Sequence, residues 1–232
     1  MSEGIQLTDC VPRAFGARAK AGEIAAGPLP LVDYLRLQET FERLGHFGIA
    51  VRGRAHSALL FARKPIRQLE GATVAVTEES STTACLLQLL LEQRYHLSGV
   101  TYRRGVPDDA DAWLLIGDEA LRVQRTTTRY PFEIDVGFEW WLWQHLPFVF
   151  AVWAVRKDAS QVIKKTIELG VARSLARNLN HLEEIAAEYS PALAIPAEEL
   201  QMYLSHFVYR LGQLEEEGIK RFQELVHEHH LL

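Results

Sequence analysis

An α/β fold is predicted by three features of the chain. Short apolar runs rich in β-branched or aromatic residues recur at residues 74–76, 112–116 and 148–153. Between them lie stretches with apolar residues at helical spacing, such as Leu86, Leu87, Leu90 and Leu91. From residue 159 onward the helical pattern stands alone. Strands separated by helices at this spacing predict a mostly parallel sheet flanked by helices.

The composition sets the bounds. The chain has 232 residues, 48% hydrophobic and 24% charged, enough for a substantial core in one or two domains. A net charge of −5 and the lack of a basic run argue against nucleic acid and against a membrane surface. Cys10 and Cys85 are too few for a disulfide framework and read as small core residues. The N-terminus carries no export signal pattern, and the densest apolar run, 146–155, contains Pro147 and is too short to span a bilayer. A reducing cytoplasm is the expected compartment.

In chain order, residues 11–21 read as a helix, with Pro12 in its first turn and Gly22 at its end. Residues 24–29 read as a strand leading into Pro28 and Pro30. A helix is expected over 31–44, stopped by Gly45. Strands follow at 47–52 and 57–63, with Gly53 between them. The strand 74–76 then runs into a helix through Ser80, Ser81, Thr82 and Thr83. Residues 100–103 form a further strand candidate, and 105–109 a turn. The strand 112–116 becomes a helix at Gly117-Asp118, and the strand 133–136 becomes an aromatic helix at Gly137. The remaining helices are expected at 160–179, 181–189, 197–208 and 213–229.

Three strand-to-helix junctions therefore stand out: Ser80 to Thr83, Gly117-Asp118, and Asp135 to Gly137. A helix start leaves its first backbone N–H groups unpaired, and together with the helix dipole these favour an anion. A capping role for Ser80 or Ser81 accounts for one junction by itself. Three of them in one segment favour a pocket for a small polar ligand beyond the carboxyl ends of the strands.

Other chemistries fail on spacing. The sequence contains no glycine-rich phosphate loop, no G-x-S-x-G elbow and no C-x-x-C pair. His227, His229 and His230 read as a solvated tail rather than a metal site. Trp140, Trp141 and Trp143 read as core at helical spacing, and Glu215, Glu216 and Glu217 as a solvated helix face.

Longer motifs resemble one family. Ile116-Gly117-Asp118-Glu119-Ala120-Leu121, Asp135-Val136-Gly137 with Trp140 and Trp143, and 146–153 (LPFVFAVW) are similar to the signature of the chorismate dehydratases. The turn Glu79-Ser80-Ser81-Thr82-Thr83 resembles that family's Ser-x-Thr-Ser turn. Residues 53–61 resemble its strand with a ligand-facing serine, here Ser57. Residues 22–27, with Pro30 and Tyr34, and residues 209–212 also fit.

The resemblance implies a two-lobed type II periplasmic-binding-protein-like fold with a ligand cleft between the lobes. Residues 1–70 and 151–232 would form lobe one, and residues 71–150 lobe two. It implies conversion of chorismate to 3-[(1-carboxyvinyl)oxy]benzoate on the futalosine route to menaquinone, in the cytoplasm and without a cofactor or metal. The expected partner is a small dicarboxylate, not nucleic acid or membrane. The oligomeric state is left open, with a homodimer as one option. Ser57 is the expected catalytic residue. Ser80, Ser81, Thr82, Thr83, Gly117, Asp118, Asp135 and His145 are the expected substrate-binding residues.

The chain also departs from the family pattern. The family resemblance leads one to expect a further strand with a Tyr-Leu-Asn loop ahead of everything seen here, and residues 1–232 begin too late to contain it. Ala25 stands in place of an aspartate, and Gln144-His145 in place of Thr-Gly. These departures predict slow turnover and an uncovered edge in lobe one. They leave a second reading, a cytoplasmic protein that binds a small cyclic or aromatic carboxylate without converting it.

Overall fold

Two sheets, each assembled from strands distant in sequence, organise the chain. The computed structural model describes residues 6–8, 10, 12–78, 80–105 and 109–232, with backbone alone at 12 and 13. Val11 of the expected first helix, Glu79 of the hydroxyl turn and residues 106–108 of the expected turn lie outside the described residues.

The first part of the chain forms α1 (Pro12–Lys20), β1 (Ala26–Pro30), α2 (Leu31–Arg36), β2 (Phe41–Val51) and β3 (Ala58–Ala62). Next come β4 (Thr73–Val76), α3 (Thr82–Leu89), β5 (Thr101–Arg104), β6 (Ala112–Ile116) and α4 (Gly117–Thr126). Then follow β7 (Phe132–Asp135), α5 (Val136–Gln144), β8 (Phe148–Arg156) and α6 (Gln161–Leu179). The chain closes with α7 (Leu182–Leu193), α8 (Ala197–Ser205), β9 (Val208–Arg210) and α9 (Gln213–Glu228). A π-helical turn, Leu90–Arg94, prolongs α3. Among the described residues, no helix is long and apolar enough to cross a membrane.

The first sheet has the strand order β1-β8-β2-β9 and is antiparallel throughout. The second has the order β5-β4-β6-β3-β7. There β4 pairs in parallel with β5 and β6, while β3 runs antiparallel to β6 and β7. The expectation of a mostly parallel sheet is thus corrected. Alternating helices and strands predict crossovers between neighbours, but β3 enters the second sheet directly from β2 of the first and lies against its neighbours' direction. Residues 52–57 carry the chain from the first sheet to the second, and residues 145–147 carry it back. The sequence boundary at residue 70 grouped β3 with the first lobe, whereas its hydrogen bonds belong to the second sheet.

Two helix expectations also change. The helix expected over 31–44 stops at Arg36, because Phe41, Glu42 and Arg43 pair with Arg156, Val155 and Ala154 of β8. Gly45, with φ of 57°, lies within an irregularity of that pairing instead of capping a helix. The helix expected to reach Val208 ends at Ser205, and Val208 begins β9 beside β2. In both places long-range pairing overrides helical periodicity.

One continuous core joins the two sheets. Val32 and Ala50 from the first side meet Leu60, Val74, Leu86 and Leu114 from the second. Trp140 is fully buried; its indole N–H donates to the Pro147 carbonyl at 3.2 Å, and its ring meets Phe148 and Phe222 edge-on. The core reading holds for this tryptophan. Helix α9 approaches the same point closely, since a Cβ at Gly218 would lie 2.2 Å from the Pro147 carbonyl oxygen.

The solvated reading of Glu215 to Glu217 fails for its first two members. Glu215 is fully buried, receives Arg52 through two hydrogen bonds of 2.7 and 3.2 Å, and accepts from the Gly212 amide. Glu216 receives Arg43 at 2.5 and 2.6 Å. The arginine side chains hold both carboxyls below the usual carboxylate range, although burial of Glu215 acts in the opposite direction and is its largest single influence. These pairs fasten α9 across β2.

Candidate active site

A cavity of about 280 Å³ opens where the two sheets face each other. Ser57, Ser80, Ser81, Thr82, Thr83 and Gly117 all line it. Residues from three separate chain segments therefore meet at one point. Phe15, Phe150, Phe207 and Tyr203 add aromatic walls, and Pro28, Pro30 and Ile49 add aliphatic ones. Such walls suit a flat or cyclic ligand whose polar groups reach a few convergent donors.

The hydroxyl turn is more divided in its duties than its sequence suggests. Ser80 Oγ, one residue ahead of the N-cap Ser81, accepts from the Thr83 amide at 3.0 Å and so satisfies one first-turn N–H of α3, leaving its own hydrogen for a ligand. Ser81 Oγ donates to Asp33 at 2.9 Å. Thr82 Oγ1 accepts from the Val32 amide at 3.1 Å. Ser81 and Thr82 thereby tie the start of α3 to α2, on the first-sheet side of the cavity. The Thr83 hydroxyl has no partner among the described residues, although the residue is buried at 3% exposure. Arg104 fixes the turn from behind by donating to the carbonyls of Thr77 and Ser80.

Ser57 sits just before β3, buried, with its carbonyl receiving the Gly117 amide at 2.8 Å. Gly117 consequently shapes the cavity, but its N–H is already paired. Ser57 Oγ accepts from the Tyr203 hydroxyl at 2.8 Å. The segment 55–57 is held by Asp135, whose carboxylate accepts from the amides of Ala55, His56 and Phe138 at 2.8–3.1 Å. Asp135 is buried and caps α5. It supports the loop that carries Ser57 and does not line the cavity.

Asp118 and His145 also lie off the cavity wall. Asp118 is exposed in the first turn of α4. His145 is exposed at the C-cap of α5, in the left-handed conformation at φ 56°. It stops a helix where the chain turns back to the first sheet. The sequence marked both residues by adjacency to junctions, which says nothing of side-chain direction.

The cavity contains no Lys or Arg among its described lining residues. An anion there would be held by hydroxyls and by the unpaired amides of the first turn of α3. A smaller pocket of about 180 Å³ lies on the other side of Ser81, lined by Arg36, Arg103, Arg104, Tyr102 and Gln88 among others. Its Arg36 already meets Asp33 and the Leu231 carbonyl, and Tyr102 is the single aromatic among its described lining residues, so a ring has no facing aromatic wall there.

The match to known proteins decides the family. Residues 2–228 fit the family model described as menaquinone biosynthesis. The chain belongs to the menaquinone biosynthesis family. Chorismate dehydratase of Thermus thermophilus is 31% identical over 241 residues, covering 96% of this chain and 87% of the relative. 1,4-Dihydroxy-6-naphtoate synthase of the same organism is 27% identical over 215 residues, covering 88% and 76%. Among solved structures, a protein of Archaeoglobus fulgidus superposes with a TM-score of 0.77 at 17% identity, over 97% of this chain and 86% of its own. The alkanesulfonate-binding protein of Xanthomonas axonopodis pv. citri, bound to MOPS, gives a TM-score of 0.64 at 17% identity, over 96% and 81%. These likenesses show the two-lobed periplasmic-binding-protein-like fold.

In this member of the menaquinone biosynthesis family, sequence reasoning missed Tyr203, Phe207 and Phe150 at the site. Phe150 was visible as a buried strand residue, and its alternation along β8 was the available signal. Tyr203 read as one aromatic on an amphipathic helix, with nothing local to reveal that α8 reaches the cavity. The division of the hydroxyls also changes which substitution is informative. Valine at Thr82 would orphan the Val32 amide and weaken the fold itself. Thr83→Val alone is the cleaner probe, expected to weaken carboxylate binding by about 1 to 3 kcal/mol with little loss of stability. Titration calorimetry with the ligand and thermal unfolding check the two halves of that expectation.

Proposed function

We propose that the chain is a chorismate dehydratase, converting chorismate to 3-[(1-carboxyvinyl)oxy]benzoate and water. One observation carries the reading: Ser57, the start of α3 and Gly117 line a single aromatic-walled cavity. The 31% identity to a chorismate dehydratase over nearly the whole chain supports the same assignment. The sheet memberships support a division into two lobes, β1, β2, β8 and β9 in one and β3 to β7 in the other. With the assignment come the futalosine route and a cytoplasmic setting.

The chemistry is an elimination that aromatises the ring. A proton leaves the ring carbon bearing the enolpyruvyl ether, and the C–O bond of the neighbouring hydroxyl breaks. Aromatisation makes the overall step favourable, so the protein's task is positioning and stabilisation of developing charge. The ring carboxylate would rest at the start of α3, on Thr83, the Ser80 hydrogen and the first-turn amides. The Ser57 hydroxyl would donate to the departing hydroxyl. No His, Lys, Asp or Glu is among the described lining residues. We therefore assign the proton to the substrate's own enolpyruvyl carboxylate, from which it leaves with the departing hydroxide as water.

Incubation of the purified chain with chorismate tests the proposal. The expected result is loss of the cyclohexadiene absorbance and appearance of a product lighter by one water. Binding of chorismate without turnover would instead favour a non-catalytic holder of cyclic carboxylates.

A further inference from the structure

Tyr203 is a polar side chain on the cavity wall that the proposed elimination does not yet use. It is 146 positions from Ser57 in sequence, yet its hydroxyl lies 2.8 Å from Ser57 Oγ. Among the described residues this is the side-chain partner of Ser57. We propose that Tyr203 is a positioning residue for the dehydration: by donating to Ser57 Oγ it directs the serine's own hydrogen into the cavity, towards the departing hydroxyl. This inference rests on the reaction assigned above.

The direction of the hydrogen bond follows from acidity. A phenol is a stronger acid than an alkyl hydroxyl, so in a Tyr–Ser pair the tyrosine is the better donor. Burial raises the Tyr203 pKa, with a further rise from the Asp118 charge, while the Ser57 contact acts the other way. The phenol therefore keeps its proton through the neutral range. Once Ser57 accepts, its one hydrogen is left for a ligand, and a chain of two hydroxyls polarises towards the group that receives it. Without Tyr203 the serine hydroxyl is free to rotate among its staggered positions, and only some of these point at the substrate.

The fold holds the phenol from outside the two strands that frame the site. Leu200 of α8 packs with Leu193, Ile195 and Ala186 against Leu121 of α4. Arg125 of α4 pairs with Glu199 of α8. Beyond Tyr203 the chain adds Phe207 to the cavity wall and then turns into β9 beside β2. Helix α8 is thus anchored on the second-sheet side while its continuation is hydrogen-bonded to the first sheet.

The test is a double-mutant cycle with chorismate as substrate. Tyr203→Phe removes one hydroxyl and is expected to lower kcat about tenfold, with KM changed by less than roughly twofold. In a Ser57→Ala background the same substitution is expected to cost nothing further, because the group it orients is gone. A merely structural tyrosine would slow both backgrounds equally. Should Tyr203→Phe fold poorly by circular dichroism, Tyr203→Leu provides a second hydroxyl-free variant for the same cycle. Wild-type kcat in a folded hydroxyl-free variant, or an equal loss in both backgrounds, overturns the positioning role alone. A wild-type chain that leaves chorismate intact overturns the assigned reaction, and this inference with it.

Discussion

Ser57→Ala is expected to lower kcat for chorismate dehydration about a hundred- to a thousand-fold, the usual cost of losing one preorganised donor to developing charge. KM should move little, because the aromatic walls and the start of α3 still hold the ring and its carboxylate. Stability should also change little. The side chain is small, and its one side-chain partner among the described residues, Tyr203, loses a single neutral hydrogen bond worth about 1 kcal/mol. Steady-state kinetics beside a thermal melt separate these effects. A kcat within a few-fold of wild type would remove Ser57 from the chemistry.

Asp135→Ala is expected to be the most destabilising single change near the site, at about 3 to 5 kcal/mol. One buried carboxylate accepts from three backbone amides, those of Ala55, His56 and Phe138. Its removal leaves all three without a partner and takes the N-cap from α5. His56 then loses support in a left-handed conformation, at φ 62°, which a side-chain-bearing residue seldom adopts. The segment ahead of Ser57 should loosen, so turnover should fall even where the protein remains folded. Asp135→Asn keeps one acceptor oxygen and should lose less. Urea unfolding of the two variants measures the difference, and equal stability of Asp135→Ala and wild type would contradict the role.

The legible part of this site was local. Residues 74–91 announce a buried strand, a hydroxyl turn and a helix through composition and spacing alone, and β4 and α3 occupy that stretch. Ile116 and Gly117 likewise mark a real junction between β6 and α4. Long-range pairing was not legible. Phe41 to Leu44 carry a pattern that suits a helix, and only β8 more than a hundred residues later makes them a strand. Val208 belongs to a strand because β2 offers an edge, which no neighbouring residue discloses. The same gap hid Tyr203, since its meaning depends on where α8 docks. It also hid the tethering of α2 by Ser81 and Thr82, hydroxyl residues that in sequence give no sign of differing in role from Thr83, whose hydroxyl has no partner among the described residues. Asp135 shows the converse. Its position at a junction was readable, but its carboxylate faces the backbone of 55–57 and not the ligand space.

The most direct test of the central claim is a crystal structure of the chain with 3-[(1-carboxyvinyl)oxy]benzoate bound. The account predicts the ring between Phe150 and Phe207, its ring carboxylate within hydrogen-bond distance of the Thr83 hydroxyl, and the Ser57 hydroxyl facing the ring carbon that lost its oxygen. Density for the ligand in the pocket of Arg36, Arg103 and Arg104 on the far side of Ser81, with the cavity beside Ser57 empty, would contradict it.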